Sequence, residues 1–254
     1  MYKLLYLDSN IYHSSGELFY YYIPLYTMFY IFLFNILSKI FSNNYKYYFI
    51  SHLTMSSYVF ISTHNDAMNF LVLNTKHYNK SYNLMPTILQ ISFYTAHTLY
   101  EWNILSSVTL AHHLFSSFLL GLIQLYFYSG PIVNCGLYFA TGLPLFLSDT
   151  IRLFNIYNIL TKSEAKLLSA EIESWIRMPG MLMTLFLLHT TTNYIPSWIK
   201  SLHNVFGGVN AIYFNNTIVI KNNDDDNIRR FVLILSKIPL CLFILTGIMI
   251  PYYI

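Results

Sequence analysis

The fold is decided by residues 102–148, which read WNILSSVTLAHHLFSSFLLGLIQLYFYSGPIVNCGLYFATGLPLFLS and contain no Asp, Glu, Lys or Arg. A helix needs about 20 apolar residues to cross a bilayer, so 47 uncharged residues are too many for one span and enough for two. Ser129, Gly130 and Pro131 lie near the middle of the stretch, and this is the chemistry of a turn. The stretch therefore predicts two antiparallel transmembrane helices that are joined at this turn.

Further apolar runs lie on both sides of this stretch. They are Leu18–Ser38, Tyr47–Asn65, Ser81–Tyr100, Met178–Ile199 and Phe231–Ile254, the last interrupted by Lys237. Together the runs predict an all-α, polytopic transmembrane helical bundle of about six or seven spans. The lower number applies if the second run, which carries His52 and His64, is only half-inserted. We divide the chain into an N-terminal region with the first transmembrane helix (1–46) and a transmembrane helical bundle (47–254).

The composition agrees with a membrane protein and excludes several other classes. Only 10% of the 254 residues are charged, against about 25% in a typical soluble domain. Aromatic residues reach 19% and the mean hydropathy is +0.45, which excludes a disordered chain and an ordinary soluble enzyme. The net charge is only +3 and the charged residues are scattered, so the sequence has no basic patch that would bind nucleic acid. Cys135 and Cys241 lie in apolar runs and offer neither a disulfide framework nor metal-ligand spacing.

Two long charged segments connect the predicted spans. Residues 149–177 contain Leu167, Leu168 and Ile172 at helical spacing, which suits a helix lying at the membrane interface. Residues 200–230 contain the acidic run Asp224–Asp226, which we interpret as a solvated loop because adjacent aspartates lack the spacing of a calcium site. The first apolar run has no small-residue cleavage site after it, so we expect a retained helix rather than a cleaved signal.

Polar and ionisable residues at membrane depth are the candidate functional residues, because burying them in a bilayer is costly unless they serve a purpose. His97 and Glu101 are four residues apart, so they share a helix face and can form a hydrogen bond. Adjacent helical residues point about 100° apart, so one of His112 and His113 can face the bundle interior while the other meets a different partner. The remaining candidates in this set are Tyr100, Asn134, Asp149 and Arg177.

Three interpretations of these groups remain open. They can mark the membrane–water boundary, where His, Tyr and Trp are common. Alternatively, an imidazole can act as nucleophile or general base on a lipid-like substrate, with a carboxylate orienting it. The third is haem or metal ligation by histidines on facing helices, such as His52, His97, His112, His113 and His189. No His-x-x-x-His pair fits a zinc site, and we expect no metal.

The order of these motifs resembles the TLC domain family, which includes TRAM, Lag1-type ceramide synthases and CLN8-like proteins. Family members end one helix with a Tyr-Asp segment, open the next with a His-His pair, and carry a Ser-x-Pro segment and a late Arg. Segment 96–101 (AHTLYE) resembles the first of these, with Glu101 as the acid. His112-His113 resembles the pair, Gly142-Leu143-Pro144 the proline segment, and Arg177 the late arginine. The resemblance covers roughly residues 47–254.

The resemblance implies a lipid-handling bundle, but two acids of the catalytic pattern are missing. Ceramide synthases carry a His-Asp-x-x-Asp segment where this chain has 137–141 (LYFAT), and Ala140 replaces a frequent Glu. The pattern is therefore CLN8-like rather than that of ceramide synthases, and it implies the fold more strongly than acyl transfer. In an enzyme of this type His112 or His113 would take the acyl group or a proton, Glu101 or Asp149 would orient it, and acyl-CoA would be the co-substrate. His97, Tyr100, Asn134, Asp149 and Arg177 would contact lipid or substrate.

The leading hypothesis is an integral membrane protein that binds or handles lipid in the endoplasmic reticulum or another endomembrane. Acyl transfer to a sphingoid-like amine, or regulation of membrane lipid composition, is its more specific form. The alternative hypothesis is a non-catalytic accessory subunit or cargo-binding protein of a membrane complex, which would include mitochondrial complexes. The expected partners are membrane lipids, with other membrane proteins or a second copy of the chain as further candidates.

Overall fold

The computed structural model describes residues 6–7, 12–41, 46–73, 82–126, 130–191 and 195–208. Helices dominate these ranges, as the all-α prediction requires. The strands among the described residues are β1 (Tyr6–Leu7) and β2 (Tyr82–Asn83), which form one short antiparallel pair. The predicted last span (231–254), Cys241 and the acidic run 224–226 lie outside the described residues.

The first three α-helices are long single helices, whereas the later helices are mostly short segments that continue into one another. The α-helices are α1 (Tyr12–Ile40), α2 (Lys46–Leu73), α3 (Met85–Glu101), α4 (Ser107–Ala111), α5 (Leu120–Tyr126), α6 (Pro131–Leu137), α7 (Leu143–Ile156), α8 (Lys162–Ile172), α9 (Met178–Thr191) and α10 (Ser197–His203). The π-helical segments, with their wider turns, are π1 (His112–Leu119), π2 (Tyr138–Gly142), π3 (Glu173–Arg177) and π4 (Asn204–Gly208). Three composite rods result: α4–π1–α5, α6–π2–α7 and α8–π3–α9.

The predicted turn in the middle of the long uncharged stretch is confirmed at its described end. Gly130 has φ 75°, a left-handed backbone conformation that glycine adopts without steric cost. Pro131 then opens α6 at the position where a helix has no use for the missing N–H group. The two rods on either side of this turn are therefore separate helices, as expected.

Three helices in the described part of the chain are long and apolar enough to cross a membrane, by length and composition. They are Tyr20–Ile40, Ser107–Tyr126 and Pro131–Ile156. At about 1.5 Å per residue, the 21 residues of the first helix match a hydrocarbon core of about 30 Å. These helices are consistent with an integral membrane protein.

Two predicted segments differ in detail from the observed helices. The connecting segment 149–177 is largely helical, and α8 begins with a capping box in which Thr161 and Glu164 bond to each other's backbone N–H groups. Ala165 and Ile172 of α8 are buried, whereas Leu167 and Leu168 are exposed. That this helix lies at the membrane interface stays a prediction. The predicted span 178–199 is interrupted: α9 ends at Thr191 and α10 begins after Pro196, because proline disfavours helical conformation in the residue before it.

The core lies where α2 and α3 meet the composite rods. α1 packs mainly on α3, and α2 packs on α6, π2 and α7. Phe34 of α1 and Phe93 of α3 meet edge to face, with ring centroids 5.5 Å apart, and both are fully buried. At Gly142 a Cβ would lie 3.1 Å from the backbone of Phe60, so glycine permits the close approach of α2 to the rod. This packing brings polar groups of α2, α3 and α7 together.

Candidate functional site

A cavity lies among α3, the three composite rods and the α10–π4 segment. It holds about 880 Å³ of atom-free space, part of which is continuous with the outside. Its walls are mostly apolar and include Ile91, Leu120, Ile132, Leu137, Met181, Leu185 and Leu188. Its polar wall residues are Thr87, Gln90, Tyr94, His112, Ser116, Ser117, Gln124, Thr141, Arg177, Thr184 and His203. Small-molecule sites usually combine apolar walls with polar groups that fix the orientation of the ligand, and this cavity has both.

Each π-helical segment contributes to the cavity wall. His112 comes from π1, Thr141 from π2, Arg177 from π3 and Gly207 from π4. Wide π turns are rare, and they occur often at functional sites because they re-aim side chains that a regular helix would direct elsewhere. The clustering of these turns around one cavity marks it as the candidate site.

The two members of the His112-His113 pair have different surroundings. His112 lines the cavity. His113 is buried behind it, with Nδ1 3.0 Å from the hydroxyl oxygen of Thr98 and its ring centroid 4.9 Å from that of Tyr94. The structure thus places one histidine at the cavity and gives the other a partner in the protein interior.

Glu101 bonds to His97, and His97 in turn lies beside His113. The predicted contact between His97 and Glu101 is confirmed, with His97 Nε2 3.1 Å from Glu101 Oε2 and both side chains buried. The His97 ring lies between this carboxylate and His113, with the two imidazole centroids 5.1 Å apart. Neither His97 nor Glu101 is a wall residue of the cavity. Glu101 is therefore placed to orient His97, whereas we expected it to orient His112 or His113.

Asp149 pairs with a histidine that the sequence analysis did not select as a site residue. Its Oδ2 atom hydrogen-bonds to Nδ1 of His52, and its Oδ1 atom lies 3.6 Å from Nη1 of Arg152. Nε2 of His52 lies 3.0 Å from the Tyr94 hydroxyl. Asp149 thus orients His52 instead of His112 or His113, because α7 packs against α2. The sequence suggested His52 only as a haem or metal ligand, through its position in an otherwise uncharged span, and it did not indicate Tyr94.

Arg177 forms part of the cavity wall and is balanced by a neighbouring acid. Its Nη1 atom donates to Oε1 of Glu173 at 3.0 Å, and both side chains are almost fully buried. The two residues span π3, and Glu173 was not predicted as a site residue. Since the pair carries no net charge, Arg177 can line an apolar cavity at a lower desolvation cost than a lone guanidinium.

Tyr100 and Asn134, like His97 and Asp149, were predicted lipid contacts but lie away from the cavity wall. The Tyr100 hydroxyl is 3.1 Å from Oγ of Ser38 and so ties α3 to α1. Asn134 donates from Nδ2 to Asp66 Oδ2 at 2.6 Å and to the Asn83 carbonyl at 3.0 Å. Both residues face neighbouring helices, and their contacts are those of groups that hold the bundle together.

A further polar contact in the cavity wall joins α5 and α10. Gln124 Nε2 lies 2.9 Å from His203 Nε2, and His203 Nδ1 lies 2.8 Å from the carbonyl oxygen of Ile199. A neutral imidazole meets both contacts when Nδ1 donates and Nε2 accepts. Among the described residues, no group of three or more His, Cys, Asp or Glu side chains is arranged to hold a metal ion.

Comparisons with known protein families, curated proteins and solved structures give no match to this chain. The resemblance to the TLC domain therefore rests on the motifs quoted above. What defines the site is its own geometry: an apolar cavity with Tyr94, His112 and Arg177 in its wall.

Proposed function

We propose that this chain is a polytopic integral membrane protein of six or seven spans whose helical bundle binds a lipid-like molecule in the cavity. One observation carries the proposal: Tyr94, His112 and Arg177 share a cavity with a set of aliphatic side chains that come from α3 and the three rods. Aliphatic walls suit an acyl chain, and the three polar side chains suit a head group. The ordered TLC-like motifs support the same class of function.

The head group supplies most of the selectivity in this proposal. Moving an acyl chain from the bilayer into an aliphatic cavity changes its surroundings little, because lipid tails are as apolar as leucine side chains. Hydrogen bonds and charge contacts are the interactions that distinguish one membrane lipid from another. Tyr94, His112 and Arg177 are therefore the residues that we expect to select the ligand.

Lipid that co-purifies with the protein tests the proposal. The full chain is extracted in mild detergent, and its bound lipids are identified by native mass spectrometry. Ala140 lines the cavity, so Ala140→Trp fills it, whereas Phe186 is exposed on α9 and Phe186→Trp is the matched control. We expect the control and the wild type to retain the same lipid and Ala140→Trp to lose it. Equal retention in all three proteins would contradict the proposal.

Acyl transfer is a second candidate function, favoured by the position of His112 in the cavity wall. His112 would be the nucleophile or general base and acyl-CoA the acyl donor, with a sphingoid-like amine as the acceptor. His113 is held by Thr98, so we expect His112→Ala to abolish activity more completely than His113→Ala. Unchanged lipid profiles in a strain with both substitutions would exclude the enzymatic form while leaving lipid binding intact.

The proposed location is the endoplasmic reticulum or another endomembrane, in line with the TLC resemblance. The alternative is an accessory subunit or cargo-binding protein of a membrane complex, and mitochondrial complexes are among the candidates. It predicts a different outcome on purification. A stable large assembly with defined partner proteins would favour the subunit. A monodisperse, lipid-loaded monomer or dimer would favour lipid handling by the chain itself.

A further inference from the structure

Three buried side chains from three helices form one continuous hydrogen-bonded chain. Asp149 of α7 bonds to Nδ1 of His52 on α2, and Nε2 of His52 lies 3.0 Å from the hydroxyl of Tyr94 on α3. All three residues are at most 6% exposed. Of the three residues, Tyr94 alone lines the cavity, so the hydrogen-bonded series reaches the proposed ligand through Tyr94.

The charges around Asp149 set the direction of the hydrogen bonds. Arg152 lies 3.6 Å from Asp149 and balances its negative charge, so a neutral His52 leaves the buried group without net charge. A protonated His52 would add an uncompensated positive charge in the interior, which is costly. A neutral imidazole facing a carboxylate keeps its proton on the nitrogen that donates to it. Nδ1 of His52 therefore donates to Asp149, and Nε2 accepts from the Tyr94 hydroxyl.

The Tyr94 hydroxyl then donates its proton to His52, and the lone pairs of its oxygen are left to accept a hydrogen bond. A phenolic hydroxyl can donate one hydrogen bond and accept others. Because its proton is directed at His52, a ligand at this position meets an acceptor and not a donor. The imidazole and carboxylate behind it increase the negative polarisation of the oxygen, since chains of hydrogen bonds strengthen one another.

We propose that Tyr94, positioned by His52 and Asp149, selects ligands whose head group donates a hydrogen bond, such as a hydroxyl or an amine. This assignment rests on the proposed function, because it names the head-group class for the same cavity. Tyr94 contacts the ligand, whereas His52 and Asp149 are positioning residues that act through it. An amphiphile that offers only acceptor atoms gains nothing from Tyr94.

Two neutral probes of equal chain length test the assignment: hexadecan-1-ol, which donates a hydrogen bond, and hexadecyl methyl ether, which does not. Each probe competes with a fluorescent fatty alcohol for the full-length protein in detergent micelles. The proteins are the wild type, Tyr94→Phe, Asp149→Asn and the cavity-filling Ala140→Trp. Tyr94→Phe keeps the ring and removes the oxygen, and Asp149→Asn keeps the shape and removes the charge that fixes the His52 tautomer.

We expect the wild type to prefer the alcohol about three- to tenfold, the value of one net hydrogen bond. Tyr94→Phe should remove this preference by weakening alcohol binding alone, and Asp149→Asn should reduce it in the same way. Melting curves establish that each variant is folded. His52→Gln, which also breaks the chain of hydrogen bonds, replaces Tyr94→Phe if that variant does not fold.

Two other outcomes have separate meanings. Equal binding of both probes to the wild type, or an equal loss of both in Tyr94→Phe, would overturn the role of Tyr94 and leave the cavity as a lipid site. Failure of the wild type to bind either probe, or wild-type binding by Ala140→Trp, would overturn the proposed function and this inference with it.

Discussion

The span in α1 and the rod formed by α6, π2 and α7 have nearly equal mean hydropathy, 1.5 and 1.3, but very different surroundings. Only 17% of the most apolar window of α1 is buried within the protein, against 61% for the rod. Tyr20, Tyr21 and Phe32 of α1 are exposed, whereas Asn134, Thr141, Ser148 and Asp149 of the rod are buried. Hydropathy therefore indicates which helices are apolar, and the small and polar residues indicate which helix lies inside.

The difference follows from what drives helices together in a membrane. Lipid tails solvate aromatic and aliphatic side chains well, so α1 can leave them outside. A polar side chain has no partner in hydrocarbon and must find one on another helix. Asp149 finds His52, and Asn134 finds Asp66, so the polar residues of the rod fix its place between α2 and the cavity.

The largest effect that we expect from this comparison is that of Asp149→Ala in the rod. The substitution leaves the Nδ1–H group of His52 without its acceptor and removes the acid beside Arg152. A hydrogen bond to a charged group contributes about 1.5 to 3 kcal/mol, and we expect a loss of stability in that range. Thermal unfolding in detergent measures it. Stability equal to the wild type would show that burial in the rod does not depend on this contact.

A smaller effect is expected at Gly142, where the rod touches the α2 backbone. A Cβ at this position would lie 3.1 Å from Cα of Phe60, and backbone atoms cannot turn aside as a side chain can. We expect Gly142→Ala to cost about 1 to 2 kcal/mol, toward the lower end of overpacking penalties. Gly136→Ala is the matched control, since its Cβ would meet a Thr184 methyl at an ordinary 3.4 Å. Equal melting temperatures for the two variants would refute the close approach.

The exposed side of α1 should tolerate substitution. Phe32 is 63% exposed, and its truncation leaves no cavity within the protein. We expect Phe32→Ala to change the free energy of unfolding by less than about 0.5 kcal/mol, as is usual for surface positions. The same unfolding assay measures the change. A loss as large as that of Asp149→Ala would contradict the exposure of Phe32 on this face.

The smallest effect is expected at the start of α8, outside both compared regions. Hydrogen bonds from the Thr161 hydroxyl and backbone N–H lower the pKa of Glu164. A carboxyl whose folded pKa is depressed stabilises the protein above its unfolded pKa, and this contribution is lost as the pH falls through the folded value. We expect Glu164→Gln to lower stability slightly at neutral pH and to match the wild type in acid. An equal difference at both pH values would contradict the contact.

Local sequence patterns predicted those features of the fold that depend on residues close together in the chain. Uncharged runs located helices, Gly130 and Pro131 located a break, and the four-residue spacing of His97 and Glu101 predicted their hydrogen bond. The pairing of His52 with Asp149 joins residues 97 positions apart and depends on how α2 packs on α7. Sequence spacing carries no information about such a contact.

One contact of the site could have been predicted from the sequence but was not. Glu173 and Arg177 have opposite charges at a separation of four, the same signal that identified His97 and Glu101. The π turns were beyond prediction, because a wide turn is chosen by tertiary packing and not by local preference. They decide that His112 and Arg177 line the same cavity, while Tyr100 and Asn134 tie helices together elsewhere.

The π3 turn also carries a tryptophan whose fluorescence can be followed. Trp175 is 76% exposed on the outer side of this turn, and Arg177 lies two residues further on in the cavity wall. Trp102 and Trp198, the other two tryptophans of the chain, are exposed on different elements. A ligand that displaced the backbone at Arg177 would displace Trp175 with it, so we expect the emission of Trp175 to report occupancy of the cavity. Replacing Trp102 and Trp198 by Phe leaves Trp175 as a single intrinsic fluorophore for following that signal.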